Sequence, residues 1–454
     1  MMYVGYPALT RAERLAALPP LLAPVKVNAE QAWRRTGGLG MPEALRLNSV
    51  VGRPVFHFLS DGHWHSIGAD DGQRLQVDDK LALRSACAMA AQAALECRGD
   101  SQIIEFDQWS IGSSLDPYRP LYRVSLDDAA GHIYYVSAQT GEVVRDTDRS
   151  ERAWNWAGSV IHWIYFAPLR VMREPWRQVV MWASGAALLT VALGSILGIQ
   201  RLRLRRRYGG NRVTPYRGWK RWHHLLGLGL TIFALSWLFS GWLSVNPFNW
   251  FDHNSQLPAY RAALAQGSID LSDLKQPVPA LLDGKVVELE WLRFLGQGYV
   301  RVSHADGSTA LRTQAHALSI PSFSGDALHT AAQAIRPQSG ITQGVFLDEG
   351  DFYYYRHNTD TAVDERPLPI FRADFSDGES LYLDPASGRL IEYANNDSRL
   401  YRWLFYALHR LDFPWLTQRR PLWDLLMIGL CLFGCVASLS GVVLGWRRLK
   451  RNAD

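Results

Sequence analysis

RWHHLLGLGLTIFALSWLFSGWLSV, from Arg221 to Val245, decides what kind of protein this is. Past its opening RWHH it carries no charged side chain, and crossing a bilayer takes about 20 such residues. Two further runs are similar: QVVMWASGAALLTVALGSILGI (Gln178–Ile199), and LWDLLMIGLCLFGCVASLSGVVLGW (Leu422–Trp446), whose single charge is Asp424 near its start. A buried core helix would account for any one of them, but three runs of this length in one chain read as membrane spans. Their Gly, Ala, Ser and Cys content suits close helix–helix contact in lipid.

Basic residues orient the spans. Nine Lys/Arg lie between Arg201 and Arg221, and RRLKR (Arg447–Arg451) follows the third span. By the positive-inside rule both stretches are cytoplasmic, which puts the large polar regions 1–170 and 247–400 on the other side. Nucleic-acid contact competes for such a basic run, but its position between two spans argues against that partner. The expected layout is a periplasmic domain over 1–150, an interfacial segment 151–177 and a transmembrane helix 178–200. A basic cytoplasmic loop 201–220, a helix 221–245 and a second periplasmic domain 246–398 follow. An interfacial segment 399–421, a helix 422–446 and a cytoplasmic tail 447–454 complete it.

The chain repeats itself. SVIHWIYFAPL begins at Ser159 and YALHRLDFPWL at Tyr406, and each has histidine at its fourth place, His162 and His409, 247 residues apart. The same offset aligns Pro120 with Pro367, Leu121 with Leu368, Gly131 with Gly378, Tyr135 with Tyr382 and Gly141 with Gly388. It continues through Arg152 and Arg399, Trp156 and Trp403, and Gly194 and Gly441. So many Gly, Trp and His matches at one offset indicate a tandem duplication. Each half is a polar domain followed by an outside-to-inside helix. The counterpart of Arg221–Val245 would fall at about −26 to −2 (221 − 247 and 245 − 247), before Met1. An exported first domain needs a signal or span ahead of it, so a fourth, N-terminal helix is expected to be missing from this sequence. The alternative is a three-span protein whose first domain is exported by the helix that follows.

Both polar domains read as α+β modules. Asp79–Glu96 and Gly325–Ile335 are expected helices sharing the string AAQA, beside alternating runs HIYYVSAQTGEVV and SLYLDPASGRLIEY, each split by a glycine-bearing hairpin turn.

YYVSAQTGEVV and LYLDPASGRLIEY resemble the end of PepSY domains, and HHLLGLGLTIFALSWLFSGWL with the final span resembles PepSY-associated transmembrane proteins. The likeness extends over nearly the whole chain through the order of its parts: PepSY, helix pair, PepSY, helix. It implies an α-helical integral membrane protein with two PepSY-like periplasmic domains. Some members are inner-membrane reductases that bind b-type haem and reduce ferric siderophores in the periplasm. Members usually carry four helices, so the three spans here are a departure that bears on how many haems the chain holds.

Ionisable side chains in or beside a span are costly and tend to be functional. His162, His409, His223 and His224 are therefore the candidate cofactor-binding residues, with neutral imidazole the usual axial ligand of haem iron. Duplication about an axis along the membrane normal would pair His162 with His409 near the outer surface. His223, with Gly227 four residues on, matches the family's HxxxG position at the cytoplasmic end of its span, with His224 beside it. One or two haem b groups are implied. The bland alternative is that these histidines belong to an interfacial aromatic belt.

Other signals are weaker. HWH (His63–His65) reads as a surface hairpin after SDG, and DFYYYRHN (Asp351–Asn358) as an aromatic-basic strand able to touch an organic ligand. The four cysteines, Cys87, Cys97, Cys431 and Cys435, lack CxxC spacing and read as small packing residues. There is no Gly-rich nucleotide loop, GxSxG, HExxH or P-loop. The expected activity is a haem-containing reductase of a bacterial inner membrane. Its donor is a quinol or cytoplasmic reductase and its acceptor a periplasmic species such as a ferric siderophore. The rivals are a non-catalytic PepSY membrane protein binding a periplasmic protein or envelope component, and an accessory subunit of iron-complex uptake.

Overall fold

The computed structural model describes residues 5–451 apart from 39, 93, 94, 96, 253, 254, 268, 276, 277, 314–318 and 356–365. The chain forms two compact units, Met1–Val171 with Asn254–Asn395 and Met172–His253 with Asn396–Asp454.

The first unit holds both polar regions. Its first half has helices α1 (Arg11–Ala17) and α2 (Ala29–Thr36), then the meander β1 (Ala44–Val50), β2 (Arg53–Ser60) and β3 (His63–Gly68). Helix α3 (Asp79–Gln92) leads into a second meander, β4 (Gly99–Ile104), β5 (Leu121–Leu126), β6 (Ile133–Ser137) and β7 (Val143–Thr147). The second half repeats the plan. It has α4 (Leu257–Ala265), then β8 (Val286–Phe294), β9 (Gln297–His304), β10 (Thr309–Thr313) and β11 (Ser319–Ile320). Helix α5 (Gly325–Ile335) precedes β12 (Ile341–Leu347), β13 (Ile370–Phe375), β14 (Ser380–Leu383) and β15 (Leu390–Ala394).

The polar regions do not form separate bodies. β1 and β8 pair antiparallel, fusing the two first meanders into a seven-stranded sheet ordered β11-β10-β9-β8-β1-β2-β3. Each of the two strands would otherwise leave an unpaired edge, and the pairing satisfies both. One face of the sheet is apolar. Leu45, Leu47, Phe56 and Phe58 share a single core with Leu289, Trp291, Val300, Val302 and Trp33 of α2. The other meanders stay as separate four-stranded sheets, β4-β5-β6-β7 and β12-β13-β14-β15.

The two halves repeat one order of elements in a changed register. β1 ends in a turn at Val51 (φ 51°) and Gly52 (φ 83°), β8 in one at Leu295 (φ 50°) and Gly296 (φ 75°). Two successive positive φ angles give the turn that matches strand twist. Counted from these turns Arg46 is equivalent to Glu290, an offset of 244 (290 − 46). In the second meander Pro120 and Leu121 correspond to Pro369 and Ile370, not to Pro367 and Leu368. The β5–β6 turn, residues 127–132, is two residues longer than the β13–β14 turn, residues 376–379. Beyond it the 247 offset holds. Tyr135 donates to Asp107 (2.7 Å) and Tyr382 to Asp351 (2.9 Å), each carboxylate also facing an arginine, Arg123 or Arg372.

Two further expectations are corrected. Cys87 and Cys97 are not packing residues but a disulfide, with Cα atoms 5.3 Å apart, because the chain reverses after α3 and brings Cys97 back beside the helix. Asp351–Tyr355 is not a strand: the Asp351 carboxylate accepts the amides of Tyr353 (2.9 Å) and Tyr354 (2.7 Å), which bends the chain. Residues 356–358 of that stretch lie outside the described residues, as do 93, 94 and 96 of the expected helix Asp79–Glu96.

The second unit is helical. Among the described residues, Arg173–Arg201, Trp219–Leu243 and Arg420–Arg451 are the three helices long and apolar enough to cross a membrane, and they contain the expected spans to within a few residues. The second packs on the first and on the third through small residues: Gly198 against Leu228, Gly229 against Phe433, and Gly434 against Leu230. Ser195 and Thr231 join hydroxyls at 3.2 Å across the first contact.

Candidate functional site

Of the four expected histidines, His223, His224 and His409 belong to the helical unit and His162 to the sheet unit. His162 and His409 keep equivalent local structure. Each follows a π-helical turn, Trp156–Val160 or Arg402–Ala407, and sits two residues before a left-handed residue, Ile164 (φ 54°) or Leu411 (φ 50°). π-turns are rare and concentrate at functional positions. Taken singly, each unit holds one of the two. His162 is exposed on the turn Ile161–Trp163.

His223 lies in the second turn of its helix and meets the third. Its Nδ1 is 2.9 Å from Ser440 Oγ, whose own proton goes back to the Ala437 carbonyl. Nδ1 is therefore the donor, and the lone pair is on Nε2. His409 repeats this at the other end of the same helix. Its Nδ1 is 3.0 Å from Ser240 Oγ, which donates to the Ser236 carbonyl at 2.7 Å. The residue after each serine is glycine, Gly441 or Gly241, and the imidazole Cε1 sits where a Cβ would approach to 3.2 or 3.4 Å. A Ser-Gly pair thus forms the same seat twice. The hydroxyl fixes the tautomer and the glycine makes room for the ring. Ser236 also donates to the Leu408 carbonyl (3.3 Å), and the Phe405 ring lies 5.3 Å from His409. Seventeen residues separate 223 from 240, so the seats are about 25 Å apart along the helix.

His224 is built differently. Its Nε2 is 2.8 Å from the Gly198 carbonyl, which can only accept, so Nε2 carries the proton; its Nδ1 is 2.8 Å from the Thr214 hydroxyl. Both nitrogens are engaged, and the buried ring ties the linker to two helices. As ligands for haem iron, His223 and His409 fit in tautomer, since the proton of each is held on Nδ1 and Nε2 is the basic nitrogen. His224 does not fit. Among the described residues no group of three or more His, Cys, Asp or Glu could hold a bare metal ion.

Sequence reading missed Ser240, Gly241, Ser440 and Gly441. The signal was a Ser-Gly pair in both histidine-facing spans, blurred by a third, Ser184–Gly185, where Trp242 faces the glycine instead. It also missed the polar face of the seven-stranded sheet. There Arg46 bonds Glu142 (2.5 Å), and Asn48 reaches both Glu142 (2.7 Å) and Glu288 (3.3 Å). Arg14 forks onto Glu288 at 2.6 and 2.8 Å. The equivalent positions in the other half carry opposite charge: Glu290 for Arg46, and Arg389 for Glu142, with Arg301 in place of His57. Burial pushes Glu288 up, but Arg14, Arg46 and Arg11 outweigh it and hold the carboxyl well below its usual range. Glu290 is held at about 2, burial being overcome by Arg389 and Arg301. His57, with no exposed surface and bonded to Asn48 Oδ1 (3.1 Å), is pushed down to about 4 mainly by burial.

Compared with family models, curated proteins and solved structures, the chain finds no match.

Proposed function

We propose that the chain is a haem b-containing reductase of a bacterial inner membrane, passing electrons across the bilayer to a periplasmic acceptor such as a ferric siderophore. The single observation that supports this reading is the doubled seat. Two histidines at opposite ends of one apolar helix each have Nδ1–H bound to a serine hydroxyl, which makes Nε2 the unprotonated nitrogen of both rings. A bound b-type haem supplies the one-electron couple. Ser440 and Ser240 orient the rings and strengthen them as donors, and the glycines admit the ring edge. The duplication nominates His162 as a further ligand. The cytoplasmic placement of the basic stretches gives the direction of transfer, from a quinol or cytoplasmic reductase near His223 outward. The Cys87–Cys97 disulfide supports an oxidising compartment for the sheet unit, whose domains the reading takes as PepSY-like.

A visible spectrum of the purified protein, oxidised and then dithionite-reduced, tests this. A Soret band with sharp reduced α and β bands is expected, diminished in His223→Ala and in His409→Ala and retained in His224→Ala. Folded protein without haem would remove the reductase reading and leave a PepSY membrane protein that binds a periplasmic or envelope partner.

A further inference from the structure

We infer that the basic end of the helical unit is a docking surface for the acidic face of a soluble electron-donor protein, a partner for the same redox site on the reading proposed above. Between Arg201 and Arg221 there are nine Lys/Arg, between Arg447 and Arg451 four more, and no Asp or Glu in either stretch. The two stretches meet, since the Arg447 guanidinium lies 6.0 Å from the centre of the Trp219 ring. Setting topology requires charge but no particular conformation. This linker has one. The Arg203 amide donates to the Val213 carbonyl (2.9 Å), closing a stem, and Tyr208 and Arg212 exchange backbone bonds at 2.8 and 3.2 Å. Arg203 lies over the Tyr208 ring at 4.5 Å, and Arg207 donates to Asn211 at 3.0 Å. At the base, Thr214 is held by His224.

The fold leaves Arg205, Arg206, Arg207, Arg217, Lys220 and Arg221 exposed in a fixed array, and His223 is exposed two residues further on. Positive charge fixed around an electron-entry point is the arrangement that steers an anionic partner, raising association rates by about 10- to 1,000-fold. Lipid headgroups would be met by Lys220, Arg221 and Arg447 at the helix ends. Arg205, Arg206 and Arg207 lie instead on the folded loop that the Arg203–Val213 stem closes, exposed and off the helices, and that favours a protein as the occupant.

The test uses the full chain in nanodiscs of neutral phosphatidylcholine, with a flavodoxin (a small acidic flavoprotein) as the probe. Interferometry reads its docking without any haem signal. Association is expected to slow at least about 10-fold between about 20 and 200 mM salt. The fourfold variant Arg205→Gln, Arg206→Gln, Arg207→Gln, Arg217→Gln should lose about as much at low salt, and the fourfold Arg→Lys variant should retain the rate. Equal, salt-insensitive association of wild type and Gln variant overturns the inference. So does an effect of the four charges seen only as retention on anionic phosphatidylglycerol vesicles, which would assign the array to lipid. Docking by a chain without haem would sink the reductase reading alone, and haem without docking would sink this one alone.

Discussion

Glu288 is 1% exposed and faces three guanidinium groups, so its charge is held by geometry that no substitution reproduces. Glu288→Gln leaves Arg14 and Arg46 undercompensated in a buried site and is expected to cost about 3–5 kcal/mol in denaturant unfolding. A loss below about 1 kcal/mol would show that water reaches the cluster. The cluster also sets an acid limit. Glu290 sits at about 2 when folded against an ordinary 4.5, so its stabilising share is complete above about 4.5 and is lost as pH falls towards 2. Asp146 has the opposite sign. Burial first, then Glu13 and Glu151, raise it from 3.8 to about 7, so its share is present below 3.8 and lost as pH rises through 7. Asp146→Asn should therefore raise Tm at pH 8 by an amount worth about 2 kcal/mol, roughly half of what three pKa units carry in a dry site, with little change at pH 4. A Tm gain of equal size at both pH values would rule out the ionisation as its cause.

Elements divide by how local their causes are. The three long helices were legible because length and apolarity decide them. Gly325–Ile335 matched its expected bounds, since Ser324 caps it through the Ala327 amide (3.3 Å) and its apolar spacing is helical. The hairpins β6–β7 and β14–β15 followed from their turn glycines. The β1–β8 pairing was not legible: it joins residues some 240 positions apart, and its second face carries Arg46, Asn48, Glu288 and Glu290, polar side chains that give no apolar pattern to mark a buried strand. The histidine seats were half legible. Imidazole in a span attracts attention, but the serine that fixes its tautomer lies on another helix. Nor did the spacing of Cys87 and Cys97 disclose the reversal after α3. Closing that ten-residue separation should contribute about 2–3 kcal/mol. Cys87→Ser should lower Tm, and dithiothreitol should lower the wild type to match; a wild type indifferent to reductant would mean the bond does not form.

At the scale of the molecule, a sheet shared between halves makes them one thermodynamic object. The core containing Leu47 and Phe58 of one half and Trp291 and Val302 of the other cannot be divided without exposing both. The sheet unit, followed by tryptophan fluorescence and near-UV circular dichroism, should unfold in a single transition; two separable transitions would contradict a common core. The same junction bears on how a duplicated chain avoids pairing with copies of itself. Arg46 and Glu290 are equivalent positions and lie directly opposite each other across β1–β8. If the first halves of two chains met along this edge, Arg46 would face Arg46, and two second halves would set Glu290 against Glu290, like charges directly opposed. Only unlike halves fit. The two halves are matched as an obligate heterodimer on one polypeptide, with its mating type written in the sign of one charge pair.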